Sequence, residues 1–271
     1  MTKEAAGRAE RNWDEISPRY EKVDINQAFR LTEEYLRKFL ETPEVSRAFE
    51  ILETRLDGRY AEFTFLGFEK QERSGMKLPY HNIEHAEVVM MNSIFLAVLD
   101  TLARQEPINQ KELFLLAVKA AHHDIGATVV YARNEDAGAE IAGETLAQFG
   151  HSKDDIDNVK AGILSTRPDF QGGFRQAITE STSTYDEYLC DADVSNFGGS
   201  DFFEKSYAIL VESKTIAGKP IPMDGSTEMV DNNNFVLQMI TDHRWNTDVA
   251  FYLYEKQKQE NIRLLRQQLS L

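Results

Sequence analysis

A chain of 271 residues, 42% of them hydrophobic, is long enough to bury a sizeable core, either as one large domain or as one domain with helical extensions. Its net charge of −15 excludes broad, sequence-independent binding to DNA or RNA, which needs a basic face, and repels phosphorylated small molecules unless a local cation or metal receives them. The single cysteine, Cys190, excludes an internal disulfide, and its apolar-flanked segment suits a small core residue.

No run of eighteen apolar residues occurs, and the start, MTKEAAGRAERNWDE, has neither an apolar signal core nor an arginine-rich, acid-poor presequence. A cytoplasmic protein without a membrane partner is expected. Residues 1–24 are polar and poor in apolar periodicity, as in a loosely held arm that Trp13 and Tyr20 can pin to the body. Residues 25–271 read as a single helical domain. Two amphipathic helices, parted by Thr42-Pro43, account for the apolar spacing from Asn26 to about Leu56. The stretch Arg59 to Phe68 is compatible with a short strand pair or with another helix.

From Val88 to Leu102 apolar residues recur at helical spacing, just after Pro79. The run ELFLLAVKAAHHD, from Glu112 to Asp124, is apolar on almost every face, which marks a helix at the centre of a domain. A further helix ends at Gly150, and Ser152 with Asp155 opens the next in the manner of a capping box. Another runs from about Tyr185 to Asn196 and stops at Gly198-Gly199. The stretch Gly218 to Asn234 is rich in turn formers and predicts a long connecting loop, and a last helix spans roughly Asp248 to Leu269. The class is all-α.

Three segments place His or Asp at the edges of these apolar helices: PYHNIEH at 79–85, AAHHDIG at 120–126 and CDADVSN at 190–196. His81 and His85, four apart, share a helix face and can point into one cavity, one binding metal while the other donates a proton. His123 and Asp124 are adjacent, so both reach one ion only where their helix ends, an ending that Gly126 can supply. Buried carboxylates are costly unless paired or coordinated, and a metal among histidines removes that cost for Asp124 and Asp193 together.

The order His, then His-Asp, then Asp on successive buried helices resembles the HD superfamily of metal-dependent phosphohydrolases, over roughly residues 75–200. The resemblance implies a helical HD core with extra N- and C-terminal helices. It implies His85 as first ligand, His123 and Asp124 as the eponymous pair, and Asp193 as the closing ligand; Asp191 is its rival and otherwise stands behind the ligands. YHNIEH is similar to the Tyr-His-Asn-x-x-His segment of the class I cyclic nucleotide phosphodiesterases, and ADVSN to their Ala-Asp-Leu-Ser-Asn segment. That likeness implies His81 as general acid, with Tyr80 and Asn82 shaping the cavity. The chain reads HHDIGATV where those enzymes carry a further histidine of the His-Pro-Gly kind, a departure that bears on the second-metal shell and on cyclic nucleotide specificity.

On this reading the protein is a phosphohydrolase acting on a nucleotide or other small phosphoester through a metal-bound hydroxide. One divalent ion (Fe, Mn, Zn, Co or Ni) is held tightly, and magnesium suits a weaker second site. Asp193 or Asp124 accepts the water proton and His81 donates to the leaving group. His122 is expected in the core or behind the ligands, where it can hydrogen-bond Asp191. Glu135 either orients water or a second ion, or is a solvated helix start. Lys77, Arg133 and Arg167 are the basic residues nearest the motifs and the candidates to meet phosphate. His151 and His243 read as surface and structural histidines. Two rival readings remain: a di-iron oxygenase on the same scaffold, for which the intervening histidines are missing, and a catalytically silent nucleotide-binding regulatory module. A homo-oligomer is compatible with all three.

Overall fold

A computed structural model describes residues 11–56, 62–65, 68–72, 78–170 and 173–270. The described chain is all-α apart from two short antiparallel hairpins. Its helices are α1 (Trp13–Tyr20), α2 (Ile25–Leu40), α3 (Pro43–Leu56), α4 (Ile83–Arg104), α5 (Gln110–His122), α6 (Asn134–Gln148), α7 (Lys153–Ser165), α8 (Thr184–Asp193), α9 (Phe202–Ile216), α10 (Thr227–Asp242) and α11 (Asp248–Gln268). Strands β1 (Glu62–Phe65) and β2 (Phe68–Glu72) settle the Arg59 to Phe68 ambiguity in favour of a strand pair, and β3 (Pro168–Asp169) with β4 (Arg175–Gln176) forms a second hairpin between α7 and α8.

The centre is α4 and α5. From Ile94 to Asp100 every residue of α4 is buried, as is every residue of α5 from Leu115 to His122, and a helix apolar all round has nowhere else to go. α4 is long and apolar enough to cross a membrane by composition, yet most of it is buried inside this fold. Helices α2, α5 and α8 pack around it. Two buried polar anchors fix these helices. Lys119 of α5 is fully buried and donates to Asp186 Oδ1 of α8 at 2.6 Å, beside Gly162, where any Cβ would collide with both side chains. Asp100 of α4 accepts the hydroxyls of Tyr20 (2.6 Å) and Tyr188 (2.5 Å) and pairs with Arg104 (2.8 Å).

The described part of the expected arm is an ordered, packed element. Asn12 caps α1, Trp13 stacks on Tyr252, and Arg11 bonds Asp248 and the carbonyls of Trp245 and Asn246. Trp13 and Tyr20 do pin it; the low periodicity reflects only how short the helix is. The expected loop from Gly218 to Asn234 is corrected too, because Ser226 accepts from the Met229 N–H and starts α10 at Thr227. The run DNNN at 231–234 then lies inside a helix, exposed or half-buried, not in a turn. Helix α9, which carries no strong apolar periodicity in the sequence, buries Phe202, Leu210, Glu212 and Ile216.

Candidate metal centre

α5 ends at His122, leaving His123 as the capping residue and Asp124 in a non-helical conformation (φ −106°, ψ 4°) before a tight turn at Ile125–Thr128. That break lets neighbouring side chains converge on one point. Gly126 serves differently from expectation, since the helix has already ended before it. A Cβ there would lie 1.8 Å from the Asn134 carbonyl oxygen, so glycine is needed for the turn to sit against α6. Asp193 is the last residue of α8, and the turn after it is braced by Asn261 of α11, whose amide donates to the carbonyls of Phe197 and Gly199, both at 2.9 Å. His85 projects from the first turn of α4, where Asn82 accepts its N–H at 3.0 Å.

These breaks bring four side chains together. One ligand atom from each of His85, His123, Asp124 and Asp193 lies within 4.8 Å of all the others. His123 Nε2 is 3.0 Å from Asp124 Oδ2, 3.4 Å from Asp193 Oδ1 and 3.4 Å from His85 Nε2. His85 Nε2 is 3.2 Å from Asp124 Oδ2 and 3.5 Å from Asp193 Oδ1. Donors at about 2.1 Å from a metal are separated by about 3.4 Å in a tetrahedron and about 3.0 Å along an octahedral edge. The set therefore fits a divalent ion in size and in chemistry. Asp193, not Asp191, is the aspartate of the third segment in this group.

The surroundings orient the donors. His123 Nδ1 donates to the Ala120 carbonyl at 2.7 Å, which leaves the Nε2 lone pair for the centre. Each carboxylate shows one oxygen to the histidines and keeps the other on an amide: Asn134 Nδ2 holds Asp124 Oδ1 at 3.2 Å, and Gln176 Nε2 of β4 holds Asp193 Oδ2 at 3.1 Å. Burial by itself raises the carboxyls, but the facing imidazoles outweigh it and keep Asp124 and Asp193 below the usual carboxylate range.

His81 stands at the edge of the group, Nε2 3.8 Å from Asp124 Oδ2 and its ring centroid 6.1 Å from that of His85. Its Nδ1 makes a short contact with Glu212 Oε1 of α9. Glu212 is wholly buried, and its Oε2 also accepts the backbone N–H groups of Tyr80 (2.8 Å) and His81 (3.0 Å). Burial pulls the His81 imidazole down, but Asp124, Glu212 and Asp193 reverse this and hold it up at about 9. Glu212 is the functional residue that sequence reasoning missed. Its only sequence signal is an acid in the apolar run YAILVES, where a charge without a partner does not belong.

Several expected site residues have partners other than those expected. Asn82 caps α4 and donates to the carbonyls of Leu78 and Pro79. His122 does not reach Asp191. It bonds the Val118 carbonyl at 2.8 Å, and burial lowers it to about 4. Asp191 accepts from the backbone N–H groups and side chains of Asn246 and Thr247, tying α8 to the start of α11; burial raises it to about 6 in spite of these donors. Arg133 is exposed, and both it and Arg167 are drawn to Asp136. Lys77 lies outside the described residues. His151 pairs with Glu44 at 2.6 Å, away from the centre. Tyr80 does belong, its buried ring 4.4 Å from that of His85. Glu135 is buried beside the group, where burial, Asp124 and Asp193 raise it to about 6.

The fold and the site together define an all-α protein with a buried pair of histidines and pair of aspartates able to hold a metal ion. Comparison with protein-family models, curated proteins and solved structures finds no match to this chain.

Proposed function

We infer that the protein is a metal-dependent phosphohydrolase of the HD type. The observation that carries this reading is His81, a proton donor clamped by Glu212 and aimed with Nε2 at the rim of the four-ligand group. A lone metal cluster serves structure as readily as catalysis; an adjacent histidine held in its protonated form serves proton transfer. A divalent ion in this group would polarise a phosphoryl oxygen and lower the pKa of a bound water to about 7.

The chain's own residues supply the remainder. His85, His123, Asp124 and Asp193 place the ion, and the amides of Asn134 and Gln176 keep both aspartates turned so that each offers one oxygen. As the water oxygen forms its bond to phosphorus and the ester P–O bond breaks, the leaving oxygen takes the proton from His81 Nε2. The proton lost by the water passes to Asp124 or Asp193. Glu212, fixed by two backbone N–H groups, holds the His81 ring in register and favours its charged form. Buried Glu135 is suited to a weaker second ion such as magnesium.

The test is elemental analysis of protein purified without added metal or chelator, alongside the Asp124→Ala and His123→Ala variants, followed by a phosphatase and phosphodiesterase screen of the same batches. About one equivalent of metal, lost in both variants together with turnover, supports the hydrolase. A wild type that stays inert after Mn, Fe, Zn, Co and Mg are restored overturns it in favour of a regulatory module. Two irons with no hydrolysis overturns it in favour of an oxygenase.

A further inference from the structure

Beside the metal group lies a cavity of about 230 Å³ whose lining includes His85, Asp193 and Tyr80. Its walls are the apolar side chains of Val88, Val89, Ala192 and Tyr254. Asn196, Asp201 and Lys205 also line it, the last two at the opening of α9. Among the described lining residues Lys205 is the one lysine or arginine. Its Nζ is 3.4 Å from Glu84 Oε1, but the Glu84 side chain is 73% exposed, so the pairing is weak and the ammonium is free to take a better anion.

Charge decides which anion. Two aspartates balance one divalent ion, so the loaded group is close to neutral before His81 is counted. A phosphodiester carries a single negative charge, which the ion and His81 can meet. A phosphomonoester carries about −1.5 to −2 at neutral pH and needs a further cation. Lys205 lines the same cavity as two of the ligands and is that cation, whereas Arg133 and Arg167 are drawn to Asp136. The exposed carboxylate of Asp201, on the same lining, opposes a second anionic group on the substrate. The cavity is also smaller than the roughly 300–1,000 Å³ typical of drug-sized ligands.

We propose that the substrate is a compact phosphomonoester whose organic part is uncharged or cationic, with Lys205 binding the phosphoryl oxygens that the metal does not hold. The proposal deepens the hydrolase reading and rests on it. Two measurements on metal-loaded wild type, Lys205→Ala and Lys205→Arg separate the two. Inorganic phosphate titrated by calorimetry should bind the wild type and the arginine variant, and bind the alanine variant about tenfold or more weakly, as expected for loss of a charge-assisted contact. The ratio of kcat/KM for p-nitrophenyl phosphate to that for bis(p-nitrophenyl) phosphate should fall about tenfold in Lys205→Ala and recover in Lys205→Arg. Equal phosphate affinity in wild type and Lys205→Ala overturns the proposal while leaving the hydrolase standing, as does a wild type that prefers the diester. A metal-loaded wild type that neither binds phosphate nor cleaves either ester overturns both.

Discussion

Two of the buried histidine environments in this molecule have opposite electrostatics. At the candidate centre, His123 and His81 face Asp124, Asp193 and Glu212, and the carboxylates hold both imidazoles above their ordinary value in spite of burial. At the other, His243 is packed against Phe197, Trp245 and Phe174, with ring centroids 5.1, 4.5 and 6.2 Å away. Its neighbours of like charge are Lys258 and Arg244, and burial followed by these two cations drives it well below the usual imidazole range. In both environments the histidine rings are largely buried. The difference is the carboxylates: with them a buried histidine group attracts a cation, and without them the ring stays neutral and serves packing.

The largest expected effect breaks the first environment outright. Asp124→Ala removes the carboxylate nearest both ligand histidines and should release the metal, with turnover falling at least about a thousandfold; metal content and kcat measured on one preparation check it. Next, His81→Ala should keep the metal and lower kcat by about 10² to 10⁴, the usual range for a general acid. Glu212→Gln should fall in the same direction by less, and its pH–rate profile should lose activity at a lower pH on the alkaline side, because the His81 imidazolium is no longer held up.

Smaller changes sharpen the contrast. Gln176→Ala and Asn134→Ala leave every ligand in place but free one aspartate oxygen each, and chelator competition should show metal binding weakened about tenfold to a hundredfold. The smallest effect belongs to the second environment. The folded-state pKa of His243 is depressed, so its contribution to stability is present above its unfolded value near 6.5 and is lost as pH falls below that. One uncompensated proton costs up to about 1.4 kcal/mol per pH unit. Thermal melts between pH 7 and 5 should therefore decline less steeply in His243→Phe than in wild type.

What could be read from the chain follows the same physics. His85, His123, Asp124 and Asp193 were legible because each sits where an apolar helix begins or stops, and a polar side chain at such a place must have a partner. The helices themselves were legible wherever one face or all faces are apolar. Glu212 and Gln176 were not, since Glu212 meets His81 across 131 residues and nothing local marks either as a partner. Arg133 and Arg167 misled for the converse reason: closeness in sequence to a motif says nothing about Asp136, which draws both. Helix α10 was missed because its residues at 231–234 are of types that also make turns.

Asp100 carries a consequence for the boundaries of the folding unit. The carboxylate is 1% exposed, and one of its two hydroxyl donors, Tyr20, belongs to the first described helix. A chain begun at Ile25 would lose that donor and uncover the face of α11 on which Trp13 stacks. Trimming the polar-looking segment that carries Arg11, Trp13 and Tyr20 would therefore damage the domain rather than shorten it.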